Sequence, residues 1–150
     1  MSHSLSRLHI HLVFSTKRRA PSITDEVRGA LHRYMATVLT DLGCRPVLIN
    51  SVEDHVHVLF ELARNVAVSA VSESIKKSSS RWIKTQGTEF QDFAWQAGYG
   101  AFAVSESNVR AVRAYVANQR KHHARRSYQD EFRAILERNG IEFDERHVRD

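Results

Sequence analysis

Pro46-Val-Leu-Ile-Asn-Ser-Val-Glu-Asp-His-Val-His-Val-Leu-Phe-Glu-Leu62 decides the fold. Pro46–Val52 and His55–Leu62 read as two strands, and Glu53-Asp54 is the short polar turn that pairs them as a hairpin. Upstream, Leu8, Ile10, Leu12 and Phe14 alternate with His9, His11, Val13 and Ser15, the period-2 pattern of a strand with one buried face. After the basic loop Lys17–Pro21, Thr24 starts a helix that runs to about Leu42. Its inner stripe is Val27, Leu31, Tyr34, Val38 and Leu42, and Gly43 ends it. Downstream of the hairpin, a helix from about Val66 to Lys84 aligns Val68, Val71, Ile75 and Trp82. Ser78-Ser79-Ser80 predicts an irregularity there. Gly87–Asp92 is a loop, and Phe93–Val104 contains a fourth strand interrupted by Gly98 and Gly100. Ser107 caps a helix from Asn108 to about His123, and Ser127-x-x-Asp130 opens a last helix that Gly140 closes.

The order β-α-β-β-α-β followed by helices predicts an α+β fold. It is a ferredoxin-like (RRM-like) antiparallel sheet with helices on one face and extra C-terminal helices. A chain of 150 residues, 42% hydrophobic and without repeat or linker, is one compact domain. No apolar run reaches the roughly 18–20 residues that a membrane span needs. No signal peptide opens the chain, and a cytoplasmic location is expected. The single cysteine, Cys44, excludes an internal disulfide framework and a multi-cysteine zinc site. It reads as structural.

The net charge is +5 and the isoelectric point about 9.7. The charge is segregated. Ser107–Gln129 contains no acid but holds Arg110, Arg113, Arg120, Lys121, Arg125 and Arg126, whereas acids crowd into Asp130–Asp150. This is the pattern of a basic face for a polyanion, and equally that of a solvated helix face.

His55-Val56-His57 puts two imidazoles on one face of a strand, with Val56, Val58, Phe60 and Leu62 facing the core. Such a pair suits a divalent metal but lacks a third ligand, and two solvated histidines have the same pattern. Asp54 can tune His55 from behind. Tyr115, Gln119 and His122 stand at i, i+4 and i+7 and share one helix face. They read either as ordinary helix surface or as a phosphorus nucleophile, Tyr115, beside an amide ligand, Gln119. His123 points nearer the core. In Trp95–Phe102, glycines and aromatics suit either a bulged core strand or base stacking. Lys17, Arg18, Arg19, Lys76, Lys77, Arg81, Arg113, Arg120, Lys121 and His122 are the candidate nucleic-acid backbone contacts, and the lysines and arginines of the basic loop and the second helix read equally as a wet face. Phosphate-loop and serine-hydrolase motifs are absent from the sequence.

Read together, His11-Leu-Val-Phe-Ser-Thr-Lys17, His55-Val56-His57, the lysine- and serine-rich helix, Trp95–Phe102 and Tyr115-Val-Ala-Asn-Gln119 with His122-His123 resemble the single-tyrosine HUH transposases of the insertion-sequence 200-like family. That family includes the REP-associated tyrosine transposases. The resemblance implies that His55, His57 and Gln119 bind Mg²⁺ or Mn²⁺. It further implies that Tyr115 attacks a phosphodiester of single-stranded DNA, giving a 5′-phosphotyrosine link and a free 3′-OH that later reverses the step. Hairpins formed by imperfect palindromes at element ends are the implied substrate, and a homodimer the implied assembly. The competing readings are a non-catalytic single-strand or RNA-binding module and a domesticated hairpin-binding transposase. An RNP-type aromatic signature is not evident in the sequence.

Overall fold

A computed structural model describes residues 3–124 and 126–149, with all their side chains but those of His122, His147 and Arg149. Strands β1 (Leu8–Ser15), β2 (Arg45–Ser51), β3 (His55–Leu62) and β4 (Gly100–Val104) form an antiparallel sheet in the order β2-β3-β1-β4. Helix α1 (Asp25–Asp41) connects β1 to β2, and α2 (Val68–Ile83) connects β3 to β4. This is the expected ferredoxin-like order.

Helices α1 and α2 cover one sheet face, where Leu12, Phe14, Val56, Val58 and Phe60 meet Leu31, Met35, Leu39, Val71 and Ile75. Fully burying each such apolar side chain contributes about 1.5–3 kcal/mol. The buried row of α1 is Val27, Leu31, Met35 and Leu39, one position round from the expected stripe. Tyr34 instead stacks on Trp82 with ring centroids 5.3 Å apart. Gly43 ends α1 with φ +80, a left-handed conformation that suits glycine. The serine run does not interrupt α2. Ser79 is fully buried and its Oγ accepts from Trp95 Nε1 at 2.9 Å, so the hydroxyl is satisfied without breaking the helix.

The other sheet face is also covered. Helices α3 (Val109–Ala117), α4 (Gln119–His123), α5 (Tyr128–Arg138) and α6 (Glu145–Arg149) follow β4. Val13 and Phe102 form a second core there with Ile135, Leu136 and Val148. His9 and His11, which alternation assigns to a wet face, are therefore 5% and 6% exposed. A period-2 pattern marks the two faces but not what later packs on the polar one. Ser127 caps α5 as expected, accepting from Asp130 N at 3.2 Å.

Candidate active site

Because β3 sends Val56, Val58 and Phe60 into the first core, His55 and His57 project together from the opposite face, and both are fully buried. Each has a partner at Nδ1. His55 Nδ1 lies 2.8 Å from Asp54 Oδ1, and His57 Nδ1 lies 2.7 Å from His11 Nε2. Their Nε2 atoms converge on Glu131 of α5. Glu131 Oε1 is 2.7 Å from His57 Nε2, and Oε2 is 3.6 Å from His55 Nε2. Gln119 Oε1 is 3.4 Å from His55 Nε2, and the Tyr115 hydroxyl donates to Glu131 Oε1 at 2.7 Å. One chain thus brings the histidine pair, the amide and the phenol to one point.

Burial, reinforced by His57, pushes the His11 imidazole down to about 3, and burial likewise lowers His57. Burial lowers His55 too, but the hydrogen-bonded Asp54 carboxylate and the Glu131 carboxylate beside the ring outweigh it and hold it up at about 9. For Glu131 burial acts upward, yet the contacts with His55 and His57 win and keep the carboxyl well below the usual range. Burial, then the Glu131 carboxylate, raises the Tyr115 phenol above its ordinary value. At neutral pH the cluster holds a carboxylate beside a cationic His55 and a neutral His57.

The donor set fits a hard divalent ion. His55, His57 and Glu131 offer ligand atoms within 4.8 Å of one another, and Gln119 adds an amide oxygen. Among the described residues, His57 Nε2 and Glu131 Oε2 are buried without an aligned hydrogen-bond partner, a cost that a metal ion would remove. Asp54, His55 and His123 form a second such grouping behind the first.

Tyr115 and Gln119 do not share one continuous helix. Asn118 takes φ −97 and ψ 23 and separates α3 from α4. The break releases the carbonyls of Val116 and Ala117, and Asn50 Nδ2 on β2 donates to both, at 2.9 and 3.2 Å. Asn50→Ala is therefore expected to cost about 1 kcal/mol in denaturant unfolding. It should also speed amide exchange across 116–121, and unchanged exchange there would remove Asn50 from this role.

Residues 4–119 match the model of the family described as "Transposase IS200 like". The chain belongs to that family. This transposase is 21% identical over 118 residues to the ISDra2 transposase TnpA of Deinococcus radiodurans, a match covering 75% of this chain and 84% of that protein. Its fold is that of a D. radiodurans crystal structure described as a candidate transposase (TM-score 0.63, 22% identity, 79% of this chain and 95% of that one). It is also that of a REP-associated tyrosine transposase solved with a REP hairpin (TM-score 0.55, 18% identity, 81% and 74%).

The basic residues of this transposase divide. Lys17 and Arg18 are exposed, and Arg19 lines a cavity of about 390 Å³ with Asp54, His123, Arg126 and Tyr128, beside His55. Arg113 and Lys121 are exposed, and Arg120 pairs with Asp25 at 2.9 Å. Lys77 and Arg81 are exposed on α2, across the sheet from the histidines, and the structure does not bring them to the site. Lys76 donates to the carbonyls of Gln96, at 2.9 Å, and Gly98. Trp95 packs against Phe14 and Phe93, Phe102 lies in the second core, and Tyr99 is 42% exposed. The His122 side chain and Arg125 lie outside the description. No helix among the described residues is long and apolar enough to cross a membrane.

Sequence reasoning passed over two members of the site. His11 sat on a face read as wet, although its place in the His11–Lys17 motif was a signal. Glu131 lay in an acidic tail that carries no motif.

Proposed function

We propose that this transposase is a single-strand DNA strand transferase with Tyr115 as nucleophile, and His55, His57 and Gln119 as protein ligands of Mg²⁺ or Mn²⁺. The observation that carries the reading is the Tyr115 hydroxyl linked through one carboxylate to His57 Nε2, two contacts of 2.7 Å. A phosphate placed there would meet nucleophile and metal ligands together. Tyr115 Oη forms a bond to phosphorus as the bond to the 3′ oxygen breaks. The phenol loses its proton and the leaving oxygen gains one, giving a 5′-phosphotyrosine and a 3′-OH, and the reverse step needs no energy source. The bound ion supplies polarisation of the scissile phosphate. Hairpin DNA is the proposed substrate. Lys17, Arg18, Arg19, Arg113, Arg120 and Lys121 hold its backbone. A homodimer is the proposed assembly.

The chain's own contribution is orientation. A metal at Nε2 requires the proton at Nδ1 of each histidine, so His55 donates to Asp54 and His57 donates to His11 Nε2. His11→Ala is then expected to weaken Mn²⁺ binding about 10–100-fold, and His11→Gln, which offers an amide oxygen as acceptor, to restore part of it. Titration calorimetry reads this, and wild-type affinity in His11→Ala would leave His11 as packing only.

Incubation with Mg²⁺ or Mn²⁺ and labelled single-stranded DNA carrying the palindromes that flank the coding sequence tests the proposal. A covalent adduct on a denaturing gel is expected. Hairpin binding without cleavage under several metals and flanks would favour the binding-module reading.

A further inference from the structure

The aromatic residues of Trp95–Phe102 divide between core and surface. Trp95 packs on the first core and Phe102 lies in the second, whereas Tyr99 stands at the rim of a cavity of about 360 Å³. We propose that this cavity receives an unpaired nucleobase of the substrate strand, flanking the scissile phosphate and stacked on Tyr99. This rests on the strand-transferase reading above.

Four observations carry it. The first is place. Tyr128 lines the cavity, and its ring lies 4.7 Å from that of His55, so a single side chain separates the cavity from the metal ligands. The second is lining. Phe14, Tyr99, Tyr128 and Phe132 supply four aromatic rings, and Tyr128 stacks on Phe132 with centroids 5.7 Å apart. Every base has a π face, so such walls accept any of the four. The third is charge. The Lys76 ammonium lies 5.1 Å from the centre of the Phe14 ring and 5.9 Å from that of Tyr99. Arg18, exposed, donates its backbone N–H to Gln96 Oε1 in the cavity wall at 3.4 Å, and Arg19 lines the neighbouring cavity that shares Tyr128. Cations around an aromatic slot suit a base that carries a phosphate on either side. The fourth is construction. Lys76 donates to the carbonyls of Gln96 and Gly98 and so fixes the backbone that walls the cavity. Gly98 turns at φ +87, where a Cβ would meet no described atom within 4 Å, and Tyr99 beside it is 42% exposed, so the mouth is open.

The test uses the intact chain with Mn²⁺ and single-stranded DNA carrying the flanking palindromes, with an abasic site placed at each unpaired nucleotide in turn. Binding is measured in a Tyr115→Phe background, so that cleavage does not intervene. One abasic position beside the cleavage site is expected to weaken binding about tenfold. Tyr99→Ala should weaken binding of the unmodified strand by a similar factor. It should add little to the loss at that position, because both changes remove the same contact. Binding of the hairpin stem without its unpaired flank should not change, and Mn²⁺ affinity should stay within about twofold. A flat abasic scan overturns the proposal, and so do losses that add in full. Equal weakening of the stem alone by Tyr99→Ala also overturns it, since Tyr99 would then be a general backbone contact. If Tyr99→Ala fails to fold, the abasic scan needs no change at Tyr99 and still decides. A wild-type adduct together with a flat scan sinks the base site alone, whereas neither adduct nor DNA binding sinks the strand-transferase reading and the base site with it.

Discussion

Tyr115→Phe removes the covalent protein–DNA adduct and leaves Mn²⁺ binding within reach of the wild-type value. The substitution deletes one oxygen. The histidines, Gln119 and Glu131 keep their backbone positions, and the ring keeps its contacts with His11, His57 and the Arg138 guanidinium. What is lost is the only group in the proposed mechanism able to bond to phosphorus, so adduct formation should fall by at least about 10³-fold, to the limit of detection. The fold should lose little. Glu131 gives up one donor but retains His55 and His57, and a hydrogen bond to a charged group is worth about 1.5–3 kcal/mol. Tyr128 is the internal control, because its ring also lies beside His55 and burial raises its phenol as well. Tyr128→Phe should retain the adduct. An adduct that survives Tyr115→Phe and disappears in Tyr128→Phe would transfer the role.

Loss of the metal is the second large effect. His57→Ala and His55→Ala should each abolish measurable Mn²⁺ binding. Losing a ligand costs more than the roughly 10–100-fold that the partner behind it is worth. Adduct formation should disappear with the binding. Binding should also release a proton. In the metal-free chain His55 keeps its proton up to about pH 9, and only the neutral ring can ligate. The affinity should therefore rise about tenfold per pH unit until roughly pH 9 and level off above it. The same shift stabilises the metal-free fold below the unfolded value of 6.5, and that contribution is lost as pH rises through about 9. Calorimetry in buffers of different protonation enthalpy counts the proton, and a flat pH profile would remove His55 from the ligand set.

Asp54 behind His55 could be foreseen, since adjacency in sequence is adjacency in space. His11 could not be placed so easily. Its contact with His57 spans 46 residues, and its burial depends on helices that begin about a hundred residues later. The break between Tyr115 and Gln119 had no local signal either. Periodicity extends a helix through Asn118, and only Asn50, 66 residues before Val116, provides the donor that makes an interruption affordable there.

By itself the sequence determined the strand order, the shared face of His55 and His57, the cap at Ser127 and the placing of Tyr115 four residues before Gln119. These follow from periods of two and 3.6 and from hydrogen bonds within a few residues, all of them local rules. The tertiary structure alone decided that the second sheet face is buried, that His11 backs His57, and that Glu131 of α5 stands between the nucleophile and the histidines. Those features arise from groups distant along the chain that must satisfy one another's charge and hydrogen bonds once water is excluded, and no local pattern in the sequence records that requirement.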